Sequence, residues 1–414
     1  MSDEIIIKDP AELLEKIEEL HPSDIASSLK KIKKINSTEF YNILKQLPDD
    51  ILGDVLLELP EAIREESYKI LSIEQLTDAV EELESDDATD IIQEIEEVDE
   101  QKAKEIFDGL EEEDQQDINR LKRYDEEEAG AFMQTELFSA KLQETIGESI
   151  KRLKKGKEEE ELENIHQVFI INEEKVLIAS ILLEDLIIFD FEKTYEEIIN
   201  SREDKFKPFK VQDDEEIDDV AKKFEKYDLS VVAVVGYQDM LIGRITSDDI
   251  LDVIEQNATE QIYQLAGVDE EYEHEEDFIT TSKKRAIWLS LNLVTAILAS
   301  LVIGMFESTI QQYVALAVLM PIVASMGGNA GTQTLAVMVR QLALGEIDLD
   351  NSKDAVKKEI FISIFNGLSF ALIMGIIASL WFAQPMLGIV IGLSMIINLF
   401  CAGFFGASIP LVLK

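Results

Sequence analysis

The sequence predicts a multi-domain protein. An α-helical, superhelical N-domain, an α/β pair of repeated modules and a connecting helix precede an all-α polytopic membrane domain. Three observations predict this. Charge is unevenly divided along the 414 residues: residues 1–282 hold 30 Lys and Arg against 79 Asp and Glu, whereas residues 283–414 hold 8 against 6. The neutral part contains four apolar segments, 286–306, 313–339, 360–383 and 386–413, each long enough for the roughly 20 residues that cross a bilayer. Between the acidic start and these segments, a β-branched pattern occurs twice. The expected boundaries are 1–130 for the helical domain, 131–253 for the repeated modules, 254–282 for the connecting helix and 283–414 for a membrane domain of four helices.

The helical domain is announced by recurring start signals at His21-Pro-Ser-Asp, Leu47-Pro-Asp-Asp, Leu71-Ser-Ile-Glu and Ser85-Asp-Asp. Each sets a capping residue or proline before acidic residues, which stabilise a helix N-terminus. Apolar residues then follow at helical spacing, and uneven distances between copies predict stacked helix pairs rather than a strict solenoid. From His166 the pattern becomes strand, turn, strand and helix start, and it recurs from Leu229. The duplication, about 133–253, resembles a tandem pair of CBS modules. Residues 254–276 are acidic and compatible with a helix; their carboxylates include Glu255, Glu260, Asp269, Glu270, Glu271, Glu273, Glu275 and Glu276.

At the membrane, Lys283, Lys284 and Arg285 precede the first segment, Arg340, Lys353, Lys357 and Lys358 lie between the second and third, and Lys414 ends the chain. The other two connections lack basic residues, so the positive-inside rule puts the N-terminal domains in the cytoplasm of a multi-pass plasma-membrane protein. Trp288 and Trp381 read as interfacial anchors. The acidic N-terminus has no signal-peptide pattern, and the single cysteine, Cys401, allows no disulfide framework.

Composition also narrows function. The acidic balance excludes nucleic acid as a partner, because phosphate binding needs basic surface, and favours cations. The three histidines, His21, His166 and His274, have no ligand spacing, and no nucleophile elbow, Walker loop or HExxH motif is present, so the chain does not read as an enzyme. Asp86 and Asp90 are four apart and share a helix face, as do Asp249 and Asp252 with Glu255 beyond. An ordinary solvated face is the alternative for any one pair. Together, along acidic domains joined to a membrane segment, they suit hard divalent cations with oxygen ligands. Gly243-Arg-Ile-Thr-Ser-Asp-Asp249 resembles the G-h-h-T-x-x-D signature of nucleotide-binding CBS modules, with Arg244 in an apolar position. Thr246 and Asp249 are therefore subsidiary candidates for binding ATP, and a strand running into a helix cap is the structural alternative.

The second apolar segment carries Gly327, Gly328, Asn329, Gly331, Thr332 and Gln333 behind Pro321. Polar groups at that depth are tolerated where they face protein or a water-filled path. These residues, with Asn398 of the fourth segment, are the expected pore lining; for Asn366 and Asn398 a helix–helix hydrogen bond is the competing role.

Gly327-Gly-Asn-Ala-Gly-Thr-Gln333, Arg340-Gln-Leu-Ala-Leu-Gly-Glu346, the junction Tyr124–Met133 and the order of domains resemble the MgtE family of magnesium transporters. The resemblance implies a homodimer in the lipid bilayer with Mg2+ both transported and regulatory. Mg2+ bound to the cytosolic domains holds a connecting "plug" helix closed. It also implies metal-binding roles for Asp86, Asp90, Glu216, Asp218, Asp228, Asp249, Asp252 and Glu260, with the amide Asn257 where a carboxylate is expected. The family's fifth membrane helix supplies a pore aspartate after an Asp-Pro-Ala motif. This sequence ends where that loop would begin, and no ionisable residue is found within its four apolar segments. The expectation is a magnesium channel-like transporter gated by intracellular magnesium; the alternative is a membrane-anchored metal or nucleotide sensor without transport.

Overall fold

The computed structural model describes residues 5–158, 162, 164–201, 203–266, 278–343, 347 and 351–413. They form two compact units, Met1–Phe278 and Ile279–Lys414. The expected carboxylates from Asp269 to Asp277, and His274, lie outside the described residues.

The first unit begins with α1 (Pro10–Lys16), α2 (Pro22–Ile35), α3 (Ser37–Leu44), α4 (Asp49–Leu57), α5 (Glu61–Ile70), α6 (Ile73–Glu81), α7 (Ser85–Val98), α8 (Glu100–Phe107) and α9 (Glu112–Leu121). The start signals act as read. His21 caps α2 through its ring Nδ1, which accepts from the Ser23 amide at 3.3 Å. Ser72 and Gln75 form a reciprocal capping box on α6. Asp86 and Asp87 occupy the first turn of α7. One core runs through these helices and includes Leu29, Phe40, Leu52, Leu56, Leu76, Ile95 and Ile106. Gly53 lets α4 and α6 meet: a Cβ there would sit 2.7 Å from the Ala79 carbonyl. Glu94 of α7 ties back to α5, accepting from Arg64 Nε at 2.9 Å and from the Tyr68 hydroxyl at 2.7 Å.

Two three-stranded sheets follow, β1 (Ser139–Lys141), β2 (Gln167–Ile171) and β3 (Leu177–Leu182), then β4 (Lys210–Gln212), β5 (Val231–Val235) and β6 (Leu241–Thr246). In each, the first strand is parallel to the second and the second antiparallel to the third. Both hairpins shift register at the same place, Ile170/Ile171 and Val234/Val235, which identifies one module written twice. The sheets share a core of Phe169, Leu177, Val231, Ala233, Val235 and Leu241. Helices α10 (Ile146–Glu158), α11 (Leu183–Leu186), α12 (Tyr195–Ser201), α13 (Ile217–Tyr227) and α14 (Ser247–Ala266) complete the pair. Both hairpins match the sequence expectation; the three-residue strands β1 and β4 were too short to read from period.

The N-domain is joined to the second module at several points. Gly130 lies under the Tyr124 ring, its amide donating to the Asp213 carbonyl at 2.9 Å, and the Tyr124 hydroxyl donates to Asp213 Oδ2 at 3.0 Å. Arg120 donates to the Ile242 carbonyl at 3.0 Å.

The second unit contains α15 (Phe278–Gly304), α16 (Glu307–Gln312), α17 (Val314–Ala343), α18 (Ser352–Phe382) and α19 (Pro385–Leu413). The four long ones are long and apolar enough to cross a membrane. Helix α19 packs against both α17 and α18 through small residues. A Cβ on Gly388 would meet Ser379 Oγ and the Gly375 carbonyl, and one on Gly403 would meet Ser363 Oγ. Such close backbone approach is how helices associate where lipid is as apolar as their side chains. Two details differ from the sequence reading. The third helix starts at Ser352, so Glu359 lies inside it. Helix α17 also runs unbroken through Pro321 and the glycines, which keeps that backbone in helical pairing.

Leu52 is fully buried, and Leu52→Ala is expected to lower the stability of the helical domain by about 2–5 kcal/mol. Ser72→Ala, which removes one cap, should cost only about 1 kcal/mol. Denaturant unfolding of both variants, followed by helical signal, checks the ranking.

Candidate metal and ion-path sites

The metal-site candidate of the first unit lies where α7 meets the start of α14. Asp86 is 7% exposed. Its carboxyl is held well above the usual range, first by burial and then by the charges of Asp249, Asp87 and Glu84. Asp87 is raised by burial and by Asp249, Asp90, Glu84 and Asp54. Asp249 is raised by burial and by Asp248 and Asp252, against the opposing effect of the Thr246 hydrogen bond. Glu84, just before α7, is pushed up to about 7 by burial, although Arg244 pulls it down. Asp90, one turn along α7, retains solvent access yet is raised to about 6 by desolvation and by Glu94.

Carboxylates from two domains therefore crowd one seam, and like charges at short range repel unless protons or cations intervene. Among the described residues no three of them converge tightly enough to ligate one bare ion. The donor set is all hard oxygen, which suits a divalent cation that keeps several waters, as Mg2+ does.

The structure separates the remaining sequence candidates. Asp252 is exposed on α14, and its carboxyl is raised by partial burial and by Glu255, Glu58 and Asp248. Glu216 is the exposed residue before α13. Asp218 Oδ1 accepts from Asn257 Nδ2 at 2.7 Å, so the amide makes directly a link that two carboxylates would need an ion to make. Asp228 caps the far end of the 11-residue α13 in a left-handed conformation, φ 49°, about 16 Å from its start. Glu260 is half-buried on α14. Sequence reasoning missed Asp87 and Glu84. The signal for Asp87 was present: consecutive acids in a first turn both point toward whatever faces the helix start.

The nucleotide candidates are engaged with each other. Thr246 is 2% exposed. Its hydroxyl donates to Asp249 Oδ2 at 2.6 Å and its amide to the same oxygen at 3.2 Å. This is the strand-into-cap arrangement.

In the membrane unit, Gly327, Gly328, Gly331 and Thr332 line a groove with Asn398, Cys401 and Gly406. Asn398 Nδ2 donates to the Val323 carbonyl at 2.6 Å, so this candidate makes the helix–helix bond while also lining the groove. Gly327 seats it: a Cβ there would come 2.3 Å from that amide. Asn329, Thr332 and Gln333 are exposed on the same helix, with the Thr332 hydroxyl donating back to the Gly328 carbonyl at 3.1 Å. A further carboxylate approaches this helix: Glu359 Oε2 of α18 accepts from the buried Thr334 hydroxyl at 3.2 Å. It was missed because Glu359 sits one residue before the apolar run.

The chain is 30% identical over 409 residues, 98% of its length and 88% of the other, to the protein named Magnesium transporter MgtE of Thermus thermophilus. The chain belongs to the MgtE family. Models of this family match in two places, the MgtE intracellular N domain at residues 20–127 and the divalent cation transporter domain at 320–414, and a CBS domain model matches 201–256. The Bacillus subtilis protein of the same name is 28% identical over 91% of this chain and 86% of its own. Among solved structures, the cytosolic domain of the Mg2+ channel MgtE in complex with ATP aligns with a TM-score of 0.53 and 29% identity, over 59% of this chain and 95% of that one. The soluble part of a magnesium transporter aligns with a TM-score of 0.51 at 24% identity, over 60% and 96%, and shares the fold. An MgtE chain thus carries the crowded seam, the paired modules and the grooved helices described above.

The raised carboxylates set a pH dependence for the seam without divalent ions. Docked, these groups bind protons that the separated, solvated groups release near their ordinary values of 3.8 and 4.5. Docking is then strongest below about pH 4 and weakens as the pH rises through 6, the value of Asp90, whereas Glu84 has the Arg244 guanidinium as its counter-ion when ionised. Asp86, Asp87 and Asp249 act in the same direction. Limited proteolysis in a chelator should show cleavage near α7 rising from pH 5 to pH 8, and millimolar Mg2+ should flatten the profile.

Proposed function

We propose that this protein carries magnesium across the plasma membrane as a homodimer and that cytosolic magnesium closes it. The observation that carries this reading is the set of buried, mutually repelling carboxylates, Asp86 and Asp87 against Asp249, in a chain whose relatives are named magnesium transporters. Hydrated Mg2+ in the seam would neutralise both sides and hold the N-domain to the second CBS module. Asp90 and Asp252 extend the same surface, and Glu216, Asp218, Asp228 and Glu260 offer carboxylates farther along α13 and α14. When the ion leaves, repulsion opens the seam, and α14 passes the change toward the membrane. The four-part domain division read from the sequence is part of this proposal, as is the cytoplasmic placement of residues 1–278.

For the cargo, the groove of α17 and α19 offers oxygens at Thr332 and Asn398 that can receive the water shell of an ion, and Asn329 and Gln333 add exposed amides elsewhere on α17. ATP is a weaker part of the reading: a similar cytosolic domain was solved with ATP, but Thr246 and Asp249 already hold each other here.

The test is flux into liposomes containing the full chain, with Mg2+ varied on the side facing the N-domain. Wild type should be inhibited by Mg2+, and Asp249→Asn should raise the half-inhibiting concentration about tenfold, the factor given by about 1.4 kcal/mol. Flux that ignores Mg2+ on that side would remove the gating mechanism. A chain that tightens with Mg2+ in proteolysis yet passes no ion would instead be a sensor.

Gly327→Ala should displace the Asn398 amide from its seat and cut flux several-fold with no change in the half-inhibiting Mg2+ concentration. The same liposome assay reads both quantities.

A further inference from the structure

Arg244 is the largest of the fully buried side chains, 2% exposed, at a position where the resembling motif carries an apolar residue. Its backbone pairs with Gln134, donating to that carbonyl at 2.9 Å and accepting from that amide at 2.8 Å. Its guanidinium crosses domains. Nη2 donates to Glu84 Oε1 of the N-domain at 3.2 Å, and Nη1 donates to the Asn164 carbonyl of the first CBS module at 3.1 Å. The same stretch is stitched by further hydrogen bonds: Ser85 Oγ accepts from the Thr135 amide at 2.9 Å and donates to Glu136 Oε2 at 3.1 Å. Arg244 thus sits between Glu84 and Glu136, next to the crowded carboxylates of α7.

A buried ion pair gains little net stability, because both charges lose their water, but removing one partner leaves the other charge buried and uncompensated. We propose that Arg244 is a built-in counter-ion that holds the start of α7 to the second CBS module when no divalent cation is present. The seam then closes in two parts, a permanent one at Arg244–Glu84 and a cation-dependent one at Asp86, Asp87 and Asp249. The second part rests on the function proposed above; the first does not. Asn257–Asp218, at 2.7 Å, supplies a comparable ion-free link between α13 and α14. The consequence is a sensor that never separates fully at this point, so each cation acts on a gap already held narrow.

The test is hydrogen exchange of the full chain in lipid nanodiscs. In chelator, Arg244→Met should speed exchange of the α7 amides about tenfold or more, as loss of a local closing contact does. With Mg2+ restored, the concentration giving half-protection should rise by a similar factor. Slow exchange in Val231–Val235 reports that the second module is still folded. If Arg244→Met loses that protection, Glu84→Gln decides, since it weakens the same pair from the N-domain side and leaves the CBS core untouched. Wild-type exchange at α7 in chelator, in a folded Arg244→Met or in Glu84→Gln, overturns the proposal. Failure of the magnesium reading looks different: wild-type protection would not respond to Mg2+ at all, and the comparison in chelator would still stand.

Discussion

Crowded negative charge at the junction of α7 and α14 is the constraint on which the first unit depends. Asp86, Asp87 and Asp249 are drawn out of water toward one another, and a carboxylate so placed must take a proton, a cationic side chain or a metal ion. Much of the surrounding structure holds that unfavourable arrangement in place. The Arg64–Glu94–Tyr68 contacts brace α7 against α5. The Tyr124–Asp213 bond and the strand-like pairing of Gln134 with Arg244 bind the segment after α9 to the second module. The large apolar core of α1–α9 supplies the stability against which the repulsion acts.

In the proposed mechanism this arrangement makes the seam responsive. A junction built from apolar contacts would close under all conditions. One built from carboxylates alone would stay open without cations. A permanent arginine beside unpaired acids lies between these limits, so its closure can follow the supply of positive charge in the medium. The two CBS modules share one topology and one register irregularity, and the second presents its helix start, at Asp249, to Asp86 of the N-domain. Duplication provided the scaffold, and one copy took on the charged contact.

The membrane unit solves another problem. Where lipid already surrounds apolar side chains, burying them gains little, and helices approach through small residues instead. Gly388, Gly392 and Gly403 of α19 meet Ser379, Ala371 and Ser363 of α18 in this way. On α17 the glycines have a second consequence. They leave room for the Asn398 side chain and open the groove beside Thr332, while the backbone stays helical. The polar stretch is thus an unbroken helix with Asn329, Thr332 and Gln333 exposed on it, and its backbone carbonyls stay in helical pairing.

The sequence alone determined the acidic and apolar division, the helix starts, the duplicated hairpins and the four long apolar helices, because each depends on neighbours in the chain: caps, period and run length. It also placed Asp86, Asp90 and Asp249 among the candidates. Tertiary structure alone decided which of these face each other. Asp86 and Asp249 are distant in sequence and come near each other because contacts such as Gln134–Arg244, Tyr124–Asp213 and Arg120–Ile242 hold the N-domain to the second module. It decided that Thr246 is tied to Asp249, that Asn257 reaches Asp218, and that Glu359 bonds Thr334. It turned Arg244 from an irregularity in a motif into a buried charge with a partner in another domain. The energy of an ionised group is set by what surrounds it in space, and that information does not reside in any local stretch of the chain.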